Sequence, residues 1–209
     1  YEVAEVSISP DNDKVGIVTC RATIDGLGDE VEVDPPYHQF LFKLTASDGA
    51  ADASANDFGF STGIGTDRIV VGAAYRFGDD PNHPQAGAVY MFDFSGNQLG
   101  IITSSDPAAY EYFGRNVAIG KTVGDNKIVV GKYGDDSPVS TSIANAGSAY
   151  IYDLDGSNEI KITASDAENQ DEFGTEVGIG QSIIYVGAPG ALGYPNRGRK
   201  VYRFDFSGN

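Results

Sequence analysis

The chain has 209 residues, 41% of them hydrophobic, which is ample for a buried core. Fourteen basic residues against thirty acidic ones give a net charge of −16, which repels nucleic acid and anionic lipid, and no apolar run reaches the roughly 20 residues of a membrane span. The single cysteine, Cys20, excludes an intrachain disulfide and any multi-cysteine metal site.

Twenty-seven Gly, twelve Tyr and eleven Phe indicate aromatic-rich strands joined by many turns, not helices. The acidic surface keeps a repeat protein soluble, tolerates salt and could draw divalent cations. No signal peptide is visible, and a start at Tyr1 instead of Met is expected of a processed chain or an excerpt.

The first stretch is irregular. VSIS at 6–9 and GIVTCR at 16–21 read as first and second strands, with Cys20 a buried, inert thiol in the second. Asp11-Asn12-Asp13 between them is too short for a cation loop and reads as a turn. Residues 22–42 are ambiguous, because 39–44 resembles a third strand and KLTASD at 43–48 a fourth. The pattern favours Val31–Val33 as a short third strand and 40–46 as the outer strand. His38, just after Pro35-Pro36, reads as a solvated loop residue.

From Phe58 the chain becomes periodic. Phe58-Gly59, Phe113-Gly114 and Phe173-Gly174 recur at separations of 55 and 60 residues. Each opens a first strand: FGFSTGIG at 58–65, FGRNVAIG at 113–120, FGTEVGIG at 173–180. A second follows as IVVGAA from Ile69, IVVGKY from Ile128 and IYVGAP from Ile184. A third follows a variable loop: VYMFDF from Val89, AYIYDL from Ala149, VYRFDF from Val201. IITSSD from Ile101 and KITASD from Lys161 supply the outer strand. Ser95-Gly96-Asn97 and Asp155-Gly156-Ser157-Asn158 are hairpin turns between third and fourth strands, with Gly or Asn at positive φ.

Alternation along the first strand separates two unlike faces. Phe113, Val117 and Ile119 point one way, and Gly114, Ala118 and Gly120 the other. A bulky face needs a bare one to receive it, and the next repeat offers one. Four-stranded sheets stacked radially would meet that demand for every repeat. On this reading Gly178→Leu overpacks an inter-blade contact and costs about 1–3 kcal/mol.

Candidate chemistry is sparse. Gly63-Ile64-Gly65 lies in a strand with no helix after it, so it is no dinucleotide fingerprint. His83, in Asp79-Asp80-Pro81-Asn82-His83-Pro84, has neither nucleophile-elbow nor zinc spacing around it and reads as a loop residue. The pairs Asp79/Asp80 and Asp135/Asp136 could hold a cation or serve glycosidase chemistry, but read more simply as solvent-facing charge. Tyr110 and Tyr112 could present a sugar-stacking surface, with core or rim packing the simpler reading.

The chain ends at Phe206-Ser207-Gly208-Asn209, on the hairpin turn that precedes an outer strand. The sequence therefore reads as one all-β repeat domain over 1–209, with repeats near 1–48, 49–106, 107–166 and 167–209. The first repeat is degenerate and the last incomplete, so a longer chain, or a neighbouring subunit, is expected to complete the array.

FGRNVAIG, IYVGAP and GSAYIYDLDG resemble FG-GAP repeats, the blades of the integrin α-chain propeller. The likeness covers about 55–209 well and 1–54 weakly. It implies β-propeller blades of four antiparallel strands, about four in number, belonging to a larger or oligomeric propeller. Similar repeats with KITASD linkers occur in surface and virion proteins of marine bacteria and their phages. Integrin-type blades often carry a calcium loop between first and second strands. Here those turns (Gly65-Thr66-Asp67-Arg68, residues 120–127 and Gly180-Gln181-Ser182) have too few carboxylates, so the family's calcium sites do not carry over.

The expected function is a non-catalytic structural or adhesion module of an extracellular or virion-surface assembly, such as a tail fibre, appendage or adhesin. It has no catalytic and no cofactor-binding residue. Calcium at Asp79, Asp80, Asp135 and Asp136 is the one metal the loops could accept. Expected partners are proteins or copies of the chain itself, and cell-surface glycan. The alternatives are a lectin-like propeller, against which the absence of Trp speaks, and an accessory domain of a larger secreted hydrolase or lyase.

Overall fold

The computed structural model describes residues 20–22, 31–33, 43–48, 57–76, 83–120, 126–136, 144–191 and 199–209. It divides the chain into two compact units, Tyr1–Leu44 and Thr45–Asn209. In the first, β1 (Cys20–Ala22) pairs antiparallel with β2 (Val31–Val33), Cys20 opposite Val33. The short strand expected at Val31–Val33 is therefore present. The outer strand expected over 40–46 is not: 43–46 has no strand structure, and 40–42 lies outside the described residues, as does VSIS at 6–9.

The second unit contains three antiparallel sheets and no helix among its described residues. The first blade runs β3 (Ser61–Ile64), β4 (Arg68–Ala73), β5 (Ala88–Asp93), β6 (Gln98–Ile102). The second runs β7 (Val117–Ile119), β8 (Lys127–Lys132), β9 (Ser148–Asp153), β10 (Ile160–Ile162). The third has β11 (Glu176–Gly180), β12 (Ile183–Ala188) and β13 (Lys200–Asp205). In each, neighbours in sequence are neighbours in the sheet. The outer strands start earlier than the sequence suggested and end at Ile102 and Ile162, before their Ser-Asp pairs.

The turns explain this register. Gly96 N donates to Asp93 O (3.1 Å) and Asp93 N to Asn97 O (3.0 Å), with Gly96 at φ 86°. That is a turn closed by a left-handed glycine, and the β5–β6 register slips beside it at Met91/Phe92. Asp93 Oδ1 caps the turn by accepting from Ser95 N (2.9 Å) and Asn97 N (2.8 Å). Asp205 caps residues 205–209 in the same way, accepting from Ser207 N (2.8 Å) and Asn209 N (3.1 Å).

The Phe-Gly pairs do not belong to the first strands, as expected from their sequence. They form turns that bridge backward. Phe113 N donates to Ala86 O (3.0 Å) and Phe173 N to Ala146 O (2.9 Å), as parallel bridges Gly87–Phe113 and Gly147–Phe173. Each Phe ring then lies edge-on against the third strand of its own blade. Phe58 meets Tyr90 at 5.2 Å, Phe113 meets Tyr150 at 5.4 Å and Phe173 meets Tyr202 at 5.3 Å.

Blades stack face to face, bulky side against small side. Val70, Val89, Met91 and Ile102 of the first blade share one core with Phe113, Val117, Ile119 and Tyr150 of the second. Val129, Ala149, Ile151 and Ile162 share the other with Phe173 and Ile184 of the third. The direction corrects the sequence reading: each bulky face is received by the preceding repeat, not the next. Ile119 sits where a Cβ on Gly63 would meet it at 3.0 Å and one on Gly65 at 2.8 Å.

Backbones approach as closely as the side chains allow. A Cβ on Gly131 would stand 1.9 Å from Gly174 O, and one on Gly72 2.0 Å from Gly114 O. Only glycine fits there. On the third blade the equivalent face is open. Nothing lies within 4 Å of a Cβ on Gly178, so the overpacking expected of Gly178→Leu has no partner to overpack. Tyr185 and Val201 on that face are 49% and 73% exposed, whereas Val70, Val129, Val89 and Ala149 at the matching positions are fully buried. Up-and-down sheets stacked this way are β-propeller blades, the last of them incomplete.

Candidate binding site

The first polar feature is a clasp that recurs at every blade. The aspartate ending each Ser-Asp pair ties the incoming linker to the third strand of the blade that follows. Tyr90 OH donates to Asp48, Tyr150 OH to Asp106 and Tyr202 OH to Asp166, each at 2.6 Å. A cation completes each group: Arg76 Nε on Asp48 at 2.9 Å, Lys132 Nζ on Asp106 at 3.1 Å, Lys200 Nζ on Asp166 at 2.9 Å.

The middle clasp is the most buried. Lys132 is inaccessible to solvent and lies 2.7 Å from Glu111 Oε2, with the Asp106 carbonyl also accepting at 2.8 Å. Lys161 reaches Asp106 at 2.5 Å and Asp135 at 2.6 Å. Burial opposes the Asp106 charge, but hydrogen bonds from Lys161 and Tyr150 and the Lys132 charge outweigh it and hold the carboxyl down at about 2. Burial pushes Glu111 up to about 7 against the pull of Lys132. Burial, reinforced by the bond to Asp106, raises the Tyr150 phenol well above its usual range.

The second feature is a row of rings across the first two blades. Phe60 meets Tyr75 at 5.8 Å, Tyr75 meets Tyr112 at 5.3 Å, and Tyr112 stacks on Tyr133 at 5.0 Å, 9° from parallel. The Arg115 guanidinium lies 4.9 Å from the ring centres of both Phe60 and Tyr133. Burial lifts the Tyr133 phenol to about 12. Tyr112 takes a left-handed backbone (φ 59°), held by Tyr112 N donating to Gln85 O of the first blade at 3.1 Å.

Beside this row runs a groove of about 390 Å³ across the starts of three successive inner strands. Phe60, Ser61 and Thr62 come from the first blade, Arg115, Asn116 and Val117 from the second, Thr175 and Glu176 from the third. Asn116 links two walls, donating to Glu176 Oε2 at 2.8 Å and accepting from Val177 N at 3.1 Å. Ser61 Oγ is committed to Gly114 O at 2.9 Å. Arg115 N donates to Tyr112 O at 3.1 Å, but its guanidinium makes no hydrogen bond or close ion pair among the described residues, and Phe60 is 42% exposed.

The residues singled out in the sequence fall elsewhere. Asp79, Asp80 and His38 lie outside the described residues. Asp135 is not solvent-facing, as its sequence suggested, but buried against Lys161; Asp136 accepts from Asn145 N at 3.0 Å. His83 is half-buried and has a partner. Tyr112 belongs to the aromatic row, while Tyr110 is exposed at the rim. Calcium does not suit the described turns between first and second strands. Asp67 is paired with Arg68 at 2.8 Å, and the two-residue turn Gln181-Ser182 has no carboxylate. Among the described residues no three His, Cys, Asp or Glu side chains are placed to hold a metal ion.

Arg115 and the clasp aspartates escaped the sequence reading, although both left a trace. Ser-Asp recurs at 47–48, 105–106 and 165–166, each ahead of a third-strand Tyr. Arg115 stands where the neighbouring repeats have Phe60 and Thr175.

Stacked up-and-down blades with a groove across their inner strands define a β-propeller repeat protein. The model of the FG-GAP repeat matches residues 40–92, 97–152 and 157–204, and the chain belongs to that family. FG-GAP propeller domains are generally non-catalytic modules of the binding or adhesion type and typically occur in extracellular or surface proteins. No curated protein matches the chain.

Proposed function

We propose that the chain is a non-catalytic structural and adhesion module of an extracellular or virion-surface assembly, such as a fibre, appendage or adhesin. Its partners are copies of itself or other proteins of that assembly, as the resemblance to repeats in surface and virion proteins of marine bacteria and their phages suggests. The observation that carries this reading is the open face of the third blade. Tyr185 and Val201 stand in solvent at positions the other two blades bury completely. A bare sheet face of this kind favours occupation by another blade of the same pattern, from further along the chain or from a second copy.

The test has two parts. Light scattering across a concentration series should show self-association that Val201→Glu weakens at least tenfold. Immuno-electron microscopy should place the chain on surface filaments or particles. A freely soluble monomer that labels no assembly would remove the proposal.

A second reading, glycan binding, draws support from the exposed Phe60 ring beside polar groove walls. It adds to the first reading, since an adhesive assembly needs a ligand.

A further inference from the structure

We propose that the inner-strand groove binds an acidic sugar, with Arg115 holding the carboxylate of a uronate residue; this rests on the adhesion half of the reading above. The starting point is a cation in an unusual position. The chain carries 30 acidic residues against 14 basic ones, yet the Arg115 guanidinium closes no ion pair among the described residues and only attracts the Glu172 carboxylate at longer range. Arg68, Arg76, Lys127, Lys132, Lys161 and Lys200 all close one, whereas Arg115 shares its lack with Lys43 and Arg203 but alone among the described residues is clamped between two rings. Two rings, Phe60 and Tyr133, hold the guanidinium in place while leaving its N–H fork unspent. A preorganised fork of this kind suits a carboxylate, which it can grip with two parallel hydrogen bonds.

The remaining walls select the rest of the ligand. Phe60 offers a partly exposed ring, a platform for the apolar face of a pyranose. Thr62 brings a hydroxyl, Asn116 keeps a second amide N–H beyond the one it gives Glu176, and Thr175 Oγ1, which donates to Glu172 O at 2.7 Å, can still accept from a hydroxyl. Glu176, on the third-blade wall, accepts only, so it suits hydroxyl donors and repels a second carboxylate. One end of the groove therefore prefers an anion and the other prefers donors. A uronate has both within a single ring. A peptide rich in Asp or Glu would meet Glu176 with further negative charge, in a protein whose net charge is already −16.

Calorimetric titration of the whole chain with an oligouronide, its neutral methyl ester and a poly-glutamate peptide tests the idea. The oligouronide should bind, the ester at least tenfold more weakly, and the peptide not measurably. Arg115→Lys keeps the charge but loses the fork, and should weaken oligouronide binding about tenfold; Arg115→Ala should abolish it. Should Arg115→Ala prove poorly folded, the acid-against-ester comparison on the unaltered chain decides. Equal binding of acid and ester, unchanged binding by Arg115→Lys, or a preference for the peptide would overturn the proposal. None of these results bears on self-association, so the assembly reading stands or falls separately.

Discussion

Gly131→Ala puts the stacking of the second and third blades to a direct test. Its backbone tolerates alanine, but the new Cβ would stand 1.9 Å from Gly174 O. Ordinary contact begins at about 3.4 Å, so the two blades must part by about 1.5 Å. A gap of 0.5–1 Å already forfeits roughly a quarter to a half of the dispersion between facing atoms. The same movement strains the Phe173 N–Ala146 O bond (2.9 Å), a contribution on the order of 1 kcal/mol. Overpacking and the weakened bond together should cost about 2–4 kcal/mol. For a unit of this size that lowers the melting midpoint by roughly 4–16 °C. Gly187→Ala supplies the control, because Gly187 holds the matching place in the third blade. Its Cβ would meet Glu176 Cβ at 3.4 Å and Glu176 O at 3.8 Å, both ordinary contacts within its own blade, and should change stability by no more than about 0.5 kcal/mol. Urea and thermal denaturation of the two variants measure the difference. Equal losses would show that the glycine serves its own blade, and the stacking argument would fail.

Three further outcomes follow from the polar clasps and the charge. Asp106→Asn removes the negative charge that Lys132, Lys161 and Tyr150 share, leaving Lys132 chiefly Glu111 and the backbone carbonyl of residue 106. It should cost about 1–3 kcal/mol in urea melts, the half-exposed carboxylate discounted for screening, whereas Asp166→Asn in the more open third clasp should cost under about 1 kcal/mol. Glu111, with a folded value of about 7 against an ordinary 4.5, stabilises the fold while protonated, and that contribution is lost as pH rises through 7. Asp106, held near 2, has the opposite sign and its contribution is lost only as pH falls from about 4 to 2. Thermal melts should therefore weaken between pH 5 and 8 by on the order of 1–3 kcal/mol, and Glu111→Gln should flatten that slope; a midpoint rising steadily to pH 8 would contradict both assignments. Raising sodium chloride from about 0.05 to about 0.5 M should raise the melting midpoint, because self-repulsion at −16 outweighs the half-exposed ion pairs that salt also weakens. A falling midpoint would mean that the ion pairs dominate.

The repeat itself was legible because packing residues recur at fixed spacing. Phe-Gly, the IVVG strands and the Gly96 and Gly156 turns identify blades without any long-range information. The direction of stacking was not legible: alternation along FGRNVAIG separates two faces but does not say which neighbour receives which. Asp135 misled for a related reason. Its burial depends on Lys132 and on Lys161 from another strand, and a local reading of Asp135-Asp136 shows only two charges in a loop. Val31–Val33 could be read as a strand from its alternation, while the 43–46 segment, equally apolar in pattern, has no strand structure. Arg115 became visible only once Phe60, 55 residues back in the preceding blade, and Tyr133 of its own blade were brought beside it.

The parallel bridges at Gly87–Phe113 and Gly147–Phe173 bear on how the array carries load. Tension along the chain would pull each Phe-Gly turn lengthwise past the strand before it, so several hydrogen bonds and a buried ring must yield together. Such a joint resists in shear, whereas the hairpins inside a blade can open one bond at a time. The weak points under force are then the blade interiors, and a blade that gives way releases up to about 200 Å of chain between its neighbours' anchors. An array of these blades pulled from its ends would lengthen in steps and keep its joints.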